Sequence, residues 1–205
     1  MEFFADLEPQ HETDGLPPAF HASLPASFAF QARTNPARLA LAGGSWQATY
    51  EELNNRSNGL AKRLSARHTK GDRIALLMRH DTPLIGAMLG ILKAGGILVV
   101  LNPNDPPRRL SQLLENSEAA AIVTDDTHKQ SAGEIASGRV VHEFGAADSC
   151  ETVDDCGVDV VPDDVAALTY TSGSTGQPKA VMQTHLQMTY NAYRQSRLMK
   201  LTPGD

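Results

Sequence analysis

RIALLM at residues 73–78, GILVVL at 96–101 and AAAIVT at 119–124 are three short apolar runs, separated by TPLIGAMLGILK (82–93) and PPRRLSQLLENS (106–117). Each run has the length and composition of a strand buried on both faces. Between the first two runs, Asp81 is placed to cap a helix, Thr82-Pro83 opens it with Pro at its tolerated first turn, and Gly95 closes it. Asp105-Pro106 is expected to cap and start the next helix, whose apolar stripe is Leu110, Leu113 and Leu114. The rhythm of strand, helix, strand, helix, strand predicts an α/β fold with a mainly parallel sheet flanked by helices and joined by right-handed crossovers. In such a sheet, ligands sit beyond the C-terminal ends of the strands.

Upstream, Thr49-Tyr-Glu-Glu52 has the pattern of a capping box, and Tyr50, Leu53, Leu60 and Leu64 recur on one face of a helix running to about Arg67. Residues 1–22 are rich in Pro, Asp, Glu and His without an apolar period, and read as a flexible arm before an organised region at 23–205. Downstream, residues 125–162 are weakly patterned, with 139–144 a candidate strand and 150–164 an acidic loop. Residues 165–171 form a strand, 172–178 a loop, 180–183 a second strand, and Thr184 opens a helix toward Leu198.

Bulk properties narrow the partners. The 205 residues carry a formal net charge of -6, with no clustered Lys/Arg to bind nucleic acid or anionic lipid. The apolar stretch 84–101 is broken by Lys93 and Gly95-Gly96, so it reads as helix plus strand and not as a membrane span. The acidic N-terminus lacks the basic start and apolar run of a secretory signal, and the chain reads as cytoplasmic. Cys150 and Cys156 have no zinc-type spacing and read as incidental thiols. Arg108 and Arg109 read as a solvated face, and His185, early in its helix, as a packing or hydrogen-bonding residue.

The chemistry lies in Thr171-Ser-Gly-Ser-Thr-Gly-Gln-Pro-Lys179. Gly173 and Gly176 permit φ > 0 and bring backbone N–H groups close to anionic oxygens, while Thr171, Ser172, Ser174 and Thr175 add hydroxyls. Lys179 supplies a point charge for a polyphosphate. The same residue types also mark ordinary polar turns. A Walker-type P-loop does not fit, because it requires Gly-Lys-Ser/Thr leading into a helix, whereas Pro178 precedes Lys179 and Ala180-Val181-Met182 follows it.

The run from Tyr170 to Lys179 resembles the signature of the AMP-binding, adenylate-forming superfamily, which includes acyl-CoA synthetases, luciferases and the adenylation domains of nonribosomal peptide synthetases. Thr49-Tyr-Glu-Glu-Leu-Asn-Asn-Arg-Ser-Asn58 is similar to the family's first helix motif. Leu92-Lys-Ala-Gly-Gly96, Leu101-Asn-Pro103 and Pro106-Pro-Arg-Arg-Leu110 are similar to its second, in wording closest to amino-acid adenylation domains. One departure stands in the third motif: Ala180 occupies a position that is usually Gly. A glycine-only φ there would strain the loop exit by ~1 kcal/mol or more, whereas a strand-like φ would make Ala nearly free.

The resemblance implies attack of an amino or acyl carboxylate on the α-phosphorus of ATP, bound as MgATP, to form an acyl-adenylate and pyrophosphate. Transfer to a thiol of CoA or phosphopantetheine follows, with a carrier protein as a further partner. Thr171, Ser172, Gly173, Ser174, Thr175, Gly176 and Lys179 would hold the phosphates; no catalytic residue or metal ligand is assigned in this chain. The resemblance further implies that the chain is the first half of the large N-terminal domain, without the C-terminal domain, and inactive alone. The alternatives are a noncatalytic nucleotide-binding or interaction module derived from such an enzyme, or a phosphoryl-transfer kinase.

Overall fold

The computed structural model describes residues 22–43, 46–145, 154–171 and 179–201, with backbone alone at Thr171 and Lys179. The elements in chain order are α1 (Leu24–Thr34), β1 (Leu39–Gly43), β2 (Trp46–Thr49), α2 (Tyr50–Ser65), β3 (Arg73–Leu77), α3 (Thr82–Lys93) and β4 (Ile97–Val100). They continue with α4 (Pro107–Ser117), β5 (Ala121–Thr124), α5 (Lys129–Ile135), β6 (Val140–Glu143), β7 (Val165–Thr171), β8 (Lys179–Thr184) and α6 (His185–Leu198).

Six strands form one sheet in the order β6-β5-β3-β4-β7-β8. Every pairing from β6 to β7 is parallel, and only β8 joins antiparallel. The α/β expectation is met. Alternation along β3 divides the core: Ile74, Leu76 and Met78 face one cluster, Ala75 and Leu77 the other. The first cluster is closed by α2 and α3 with edges of α1 and α6, the second by α4 and α5. A smaller cluster of Trp46, Ala48 and Leu53 holds the β1–β2 hairpin, whose strands pair antiparallel. The Thr82 hydroxyl hydrogen-bonds to the Gly43 and Trp46 carbonyls at 3.2 and 3.3 Å, tying that hairpin to the start of α3.

The caps read from sequence hold at three of four places. Thr49 and Glu52 form both bonds of the capping box on α2, Thr184 and Gln187 do the same on α6, and Asp81 accepts from the Thr82 N–H at 2.7 Å. Asp105 does not cap α4. The helix begins one residue later, with Pro106 at the N-cap and no side-chain cap, and Asp105 instead accepts from Arg109 Nε at 3.2 Å. The carboxylate is thereby drawn along the first turn, and Arg109 becomes half of an ion pair on an otherwise solvated face. Helices α1 and α5 and the β1–β2 hairpin have no counterpart in the sequence reading. The arm at 1–22 lies outside the described residues but for its last residue, and Cys150 lies wholly outside them.

Two close approaches pack α3, Gly90 against α2 and Gly86 against the ring that follows β6. A Cβ at Gly90 would lie 2.8 Å from Leu60 Cβ and Cδ2, and one at Gly86 would lie 2.8 Å from the Phe144 ring. Beside them, Lys93 is buried with its ammonium in a cradle on α2, donating to Asn58 Oδ1 at 2.6 Å, Ser57 Oγ at 2.7 Å, Asn54 Oδ1 at 2.8 Å and Asn54 O at 3.2 Å. The Phe28 ring lies 5.4 Å from the same nitrogen. Burial pulls the Lys93 pKa down to about 8, against the charges of Asp155 and Cys156 that favour the cation.

Residues 154–164 run as an irregular strap into β7. The Cys156 thiol donates to the Lys93 carbonyl at 3.2 Å, and Lys70 Nζ reaches the Asp159 carbonyl at 2.8 Å and the Asp164 carboxylate at 2.7 Å. His185, the first residue of α6, is buried and accepts from the Leu24 N–H at Nδ1, 3.4 Å, joining α1 to α6. It packs, as the sequence suggested. Burial lowers its pKa to about 4, with Asp164 opposing and Lys70 assisting. His142 on β6 places Nε2 3.3 Å from Nε2 of His68, and burial followed by the charges of His68, Arg63 and Arg67 lowers its pKa to about 4 as well.

Three outcomes follow for stability. Gly90→Ala gains up to ~1 kcal/mol of helix propensity but overpacks Leu60 at a cost of roughly 1–3 kcal/mol, so the urea midpoint should fall; a rise would show that α2 and α3 do not meet this closely. Lys93→Met strands three side-chain acceptors in the cradle and should cost ~2–4 kcal/mol by denaturant unfolding, and a loss under ~0.5 kcal/mol would contradict the cradle. His142 and His185 are harder to protonate folded than unfolded, so the unfolded chain takes up their protons first. Stability should be full above about pH 6.5, the ordinary histidine value, and decline by ~1–3 kcal/mol as pH falls through about 4. His142→Gln should flatten that slope in a thermal-melt series.

Candidate functional site

The β7–β8 pair is registered from Val165 opposite Thr184 at one end to Thr171 opposite Lys179 at the other. Because β7 runs parallel to β4, pairing Ala167 with Leu98 and Leu168 with Val99, Thr171 lies at the sheet edge where β3, β4 and β5 also end. Thr171 and Lys179 are therefore side by side at the edge where open α/β sheets bind ligands. Ser172, Gly173, Ser174, Thr175 and Gly176, with Gln177 and Pro178, lie outside the described residues.

Ala180 belongs to β8 and pairs with Tyr170. Positive φ among described non-glycine residues occurs at Glu118, Ser137 and Lys200 only, so Ala180 is strand-like and stands in place of Gly without backbone strain. The other end of the hairpin is fixed by the strap. The Asp164 and Pro162 carbonyls accept from the His185 and Leu186 N–H groups at 3.1 and 2.9 Å. Burial works against ionisation of Asp164, but hydrogen bonds from Lys70 and the Val161 N–H outweigh it and hold the carboxyl below its usual range. The strap thus anchors the end of the hairpin away from Thr171 and Lys179.

A second polar group on the same edge escaped the sequence reading. Asp125, following β5, accepts from the Arg79 N–H at 2.7 Å, from the His128 N–H at 2.8 Å and from His128 Nδ1 at 2.7 Å. Burial raises the cost of its charge, yet these bonds keep its carboxyl below the usual range. The signal available beforehand was Asp followed three residues later by His, directly after an apolar strand, where an Asp side chain turns back onto its own backbone. Among the described residues no group of three His, Cys, Asp or Glu side chains is arranged to hold a metal ion. No helix there is long and apolar enough to cross a membrane.

Residues 28–205 match the AMP-binding enzyme family. Bacitracin synthase 3 of Bacillus licheniformis is 38% identical over 160 residues, which are 76% of this chain and 2% of that protein. Surfactin synthase subunit 3 of Bacillus subtilis (strain 168) is 32% identical over 186 residues, 88% of this chain and 15% of that one. The AMPPNP-bound nonribosomal peptide synthetase FmoA3 superposes with a TM-score of 0.79 at 26% identity, covering 94% of this chain and 20% of that chain. The Klebsiella oxytoca NpsA N-terminal subdomain, in complex with 3-hydroxybenzoyl-AMSN, gives a TM-score of 0.67 at 27% identity over 80% of this chain and 41% of that chain. The chain thus spans a small share of the curated relatives and less than half of that subdomain. With three motifs in order, a mainly parallel sheet and a Ser/Thr/Gly segment leaving it at the C-terminal edge, the chain belongs to the AMP-binding enzyme family.

Proposed function

We propose that this chain supplies the phosphate-holding part of a site that activates a carboxylic acid with ATP. The observation that carries this reading is the position of the Thr171–Lys179 pair, which opens the Ser/Thr/Gly segment at the C-terminal edge of the sheet. The acid's carboxylate attacks the α-phosphorus, the bond from that phosphorus to the bridging oxygen of the β-phosphate breaks, and pyrophosphate departs with its charge. Lys179 and the hydroxyls of Thr171, Ser172, Ser174 and Thr175 balance that charge, with Gly173 and Gly176 allowing backbone N–H groups to approach. Magnesium arrives with ATP as part of the substrate complex. An amino acid is the acid favoured by the synthetase relatives, with transfer to a thiol of phosphopantetheine on a carrier protein, or of CoA, as the following step.

A second reading rests on β8, the outermost strand of the sheet, which exposes Val181 and Met182. Such an edge suits a noncatalytic module that pairs with another chain.

The purified chain should bind inorganic pyrophosphate and ATP weakly, and Lys179→Ala should weaken pyrophosphate binding about tenfold, the equivalent of ~1.4 kcal/mol, in a calorimetric or NMR titration. Pyrophosphate binding that is absent, or unchanged by Lys179→Ala, would overturn the phosphate-holding role and favour the module. In an ATP–pyrophosphate exchange assay with pooled amino, aryl and fatty acids, the chain alone should be silent; measurable exchange would show that it carries the acid and adenosine groups too.

A further inference from the structure

Two histidines 74 positions apart meet where the C-terminal end of α2 reaches β6, the strand at the far side of the sheet from β8. His142 is buried, and alternation puts it on the same face as Phe144, whose ring belongs to the core covered by α2 and α3. His68 lies just past α2, where its N–H donates to the Leu64 carbonyl at 2.8 Å. The two rings meet edge to face, at 72° with centroids 5.5 Å apart, and their Nε2 atoms are separated by 3.3 Å.

Two Nε2 atoms this close cannot both carry a proton, so at least one turns a lone pair toward the other. A hydrogen bond between the rings meets that requirement, and so does a shared cation. In tetrahedral sites imidazole nitrogens lie about 2.0–2.1 Å from zinc, which sets two of them ~3.3 Å apart. The separation of His68 and His142 equals that bite. Asp72 Oδ2 lies 3.8 Å from His68 Nδ1, where its charge favours the tautomer protonated at Nδ1 and leaves Nε2 free for a metal. The carbonyl end of α2 favours positive charge at the same place. Arg63 and Arg67 act the other way, since both of their charges reach His142, although Arg63 is held by the Glu143 carbonyl at 3.1 Å. Two imidazoles beside two guanidinium groups make a site of modest affinity. The His68 side chain keeps 11% of its surface exposed, which gives a hydrated ion its approach. An imidazole pair selects a borderline ion over Mg2+, which prefers oxygen.

We propose that His68 and His142 form a two-histidine site for a divalent transition-metal ion of the zinc type, held by both Nε2 atoms with water in the remaining positions. The bound ion clasps the end of α2 to β6. The site shares no residue with the Thr171–Lys179 segment and does not depend on the adenylation reading.

The test is a titration of the purified chain with ZnCl2 at pH 7.5, against MgCl2 at the same ionic strength, read from the nitrogen resonances of the histidine rings. Zinc should move the Nε2 resonances of His68 and His142 together, with a Kd on the order of 10–100 µM, far weaker than a four-ligand structural zinc site. Saturating zinc should also raise the thermal midpoint by several degrees, because the ion binds only the folded arrangement, and magnesium should do neither. His68→Gln and His142→Gln should each weaken zinc binding at least tenfold, whereas His80→Gln, at an exposed histidine outside the pair, should leave it unchanged. The ring spectra are read on the unaltered chain, so they decide the question even where a variant unfolds. A zinc response missing from either ring, an equal effect of magnesium, or undiminished zinc affinity in a folded His68→Gln overturns the proposal and leaves the pair as an imidazole–imidazole hydrogen bond.

Discussion

The burial of β3 on both faces, between two parallel neighbours, is the constraint from which the rest of the structure follows. From Ile74 to Leu77 its side chains are all buried, alternately in the two cores, and its backbone bonds go to β4 on one side and β5 on the other. A parallel pair cannot be closed by a tight turn, so each connection has to cross a face of the sheet as a helix. The crossovers bring the ends of β3, β4, β5 and β7 to one edge. The Thr171–Lys179 end of the β7–β8 hairpin and the Asp125–His128 pair share that edge because the connectivity leaves them no other.

The opposite edge is where the molecule is tied together. Lys70 holds the strap at Asp159 and Asp164, the strap meets the Lys93 carbonyl, and Lys93 itself bridges α3 to α2. The Lys93 ammonium is satisfied by amide and hydroxyl oxygens of α2 with no carboxylate among its hydrogen-bond partners, which matches the downward pull of burial on its pKa. Gly90 brings the same two helices within reach of each other.

Where a single period ran uninterrupted, structure was legible in the residues. The three strands between 73 and 124 and the helices α2, α3 and α4 appear as read, because two-faced burial demands continuous apolar runs and one-faced burial demands a stripe. Helix α1 was invisible: its sequence LPASFAFQART buries only Pro25 and Ala32, so it leaves no stripe, and tertiary contact holds it in place. The β1–β2 hairpin and the seven-residue α5 were too short to carry a period. Asp105 misled because Asp-Pro is a good helix start in general, while the following Pro107 moved the start onward and left the carboxylate to an arginine one turn away.

By itself the sequence determined the α/β rhythm, the family and the residue types of the Ser/Thr/Gly segment, since each of these is written in local periodicity or in one contiguous motif. The tertiary structure alone decided partners. Lys93 reads in the chain as a mere break in an apolar run, yet its acceptors lie 35 to 39 positions away; His142 meets a histidine 74 positions away, and Asp125 takes the N–H of a residue 46 positions away. Periodicity tells which face a side chain presents and not what comes to meet it. Register across the sheet and the crossing of helices make that choice, and so the cradle, the histidine pair and the Asp125–Arg79 bond emerge only when the chain is folded.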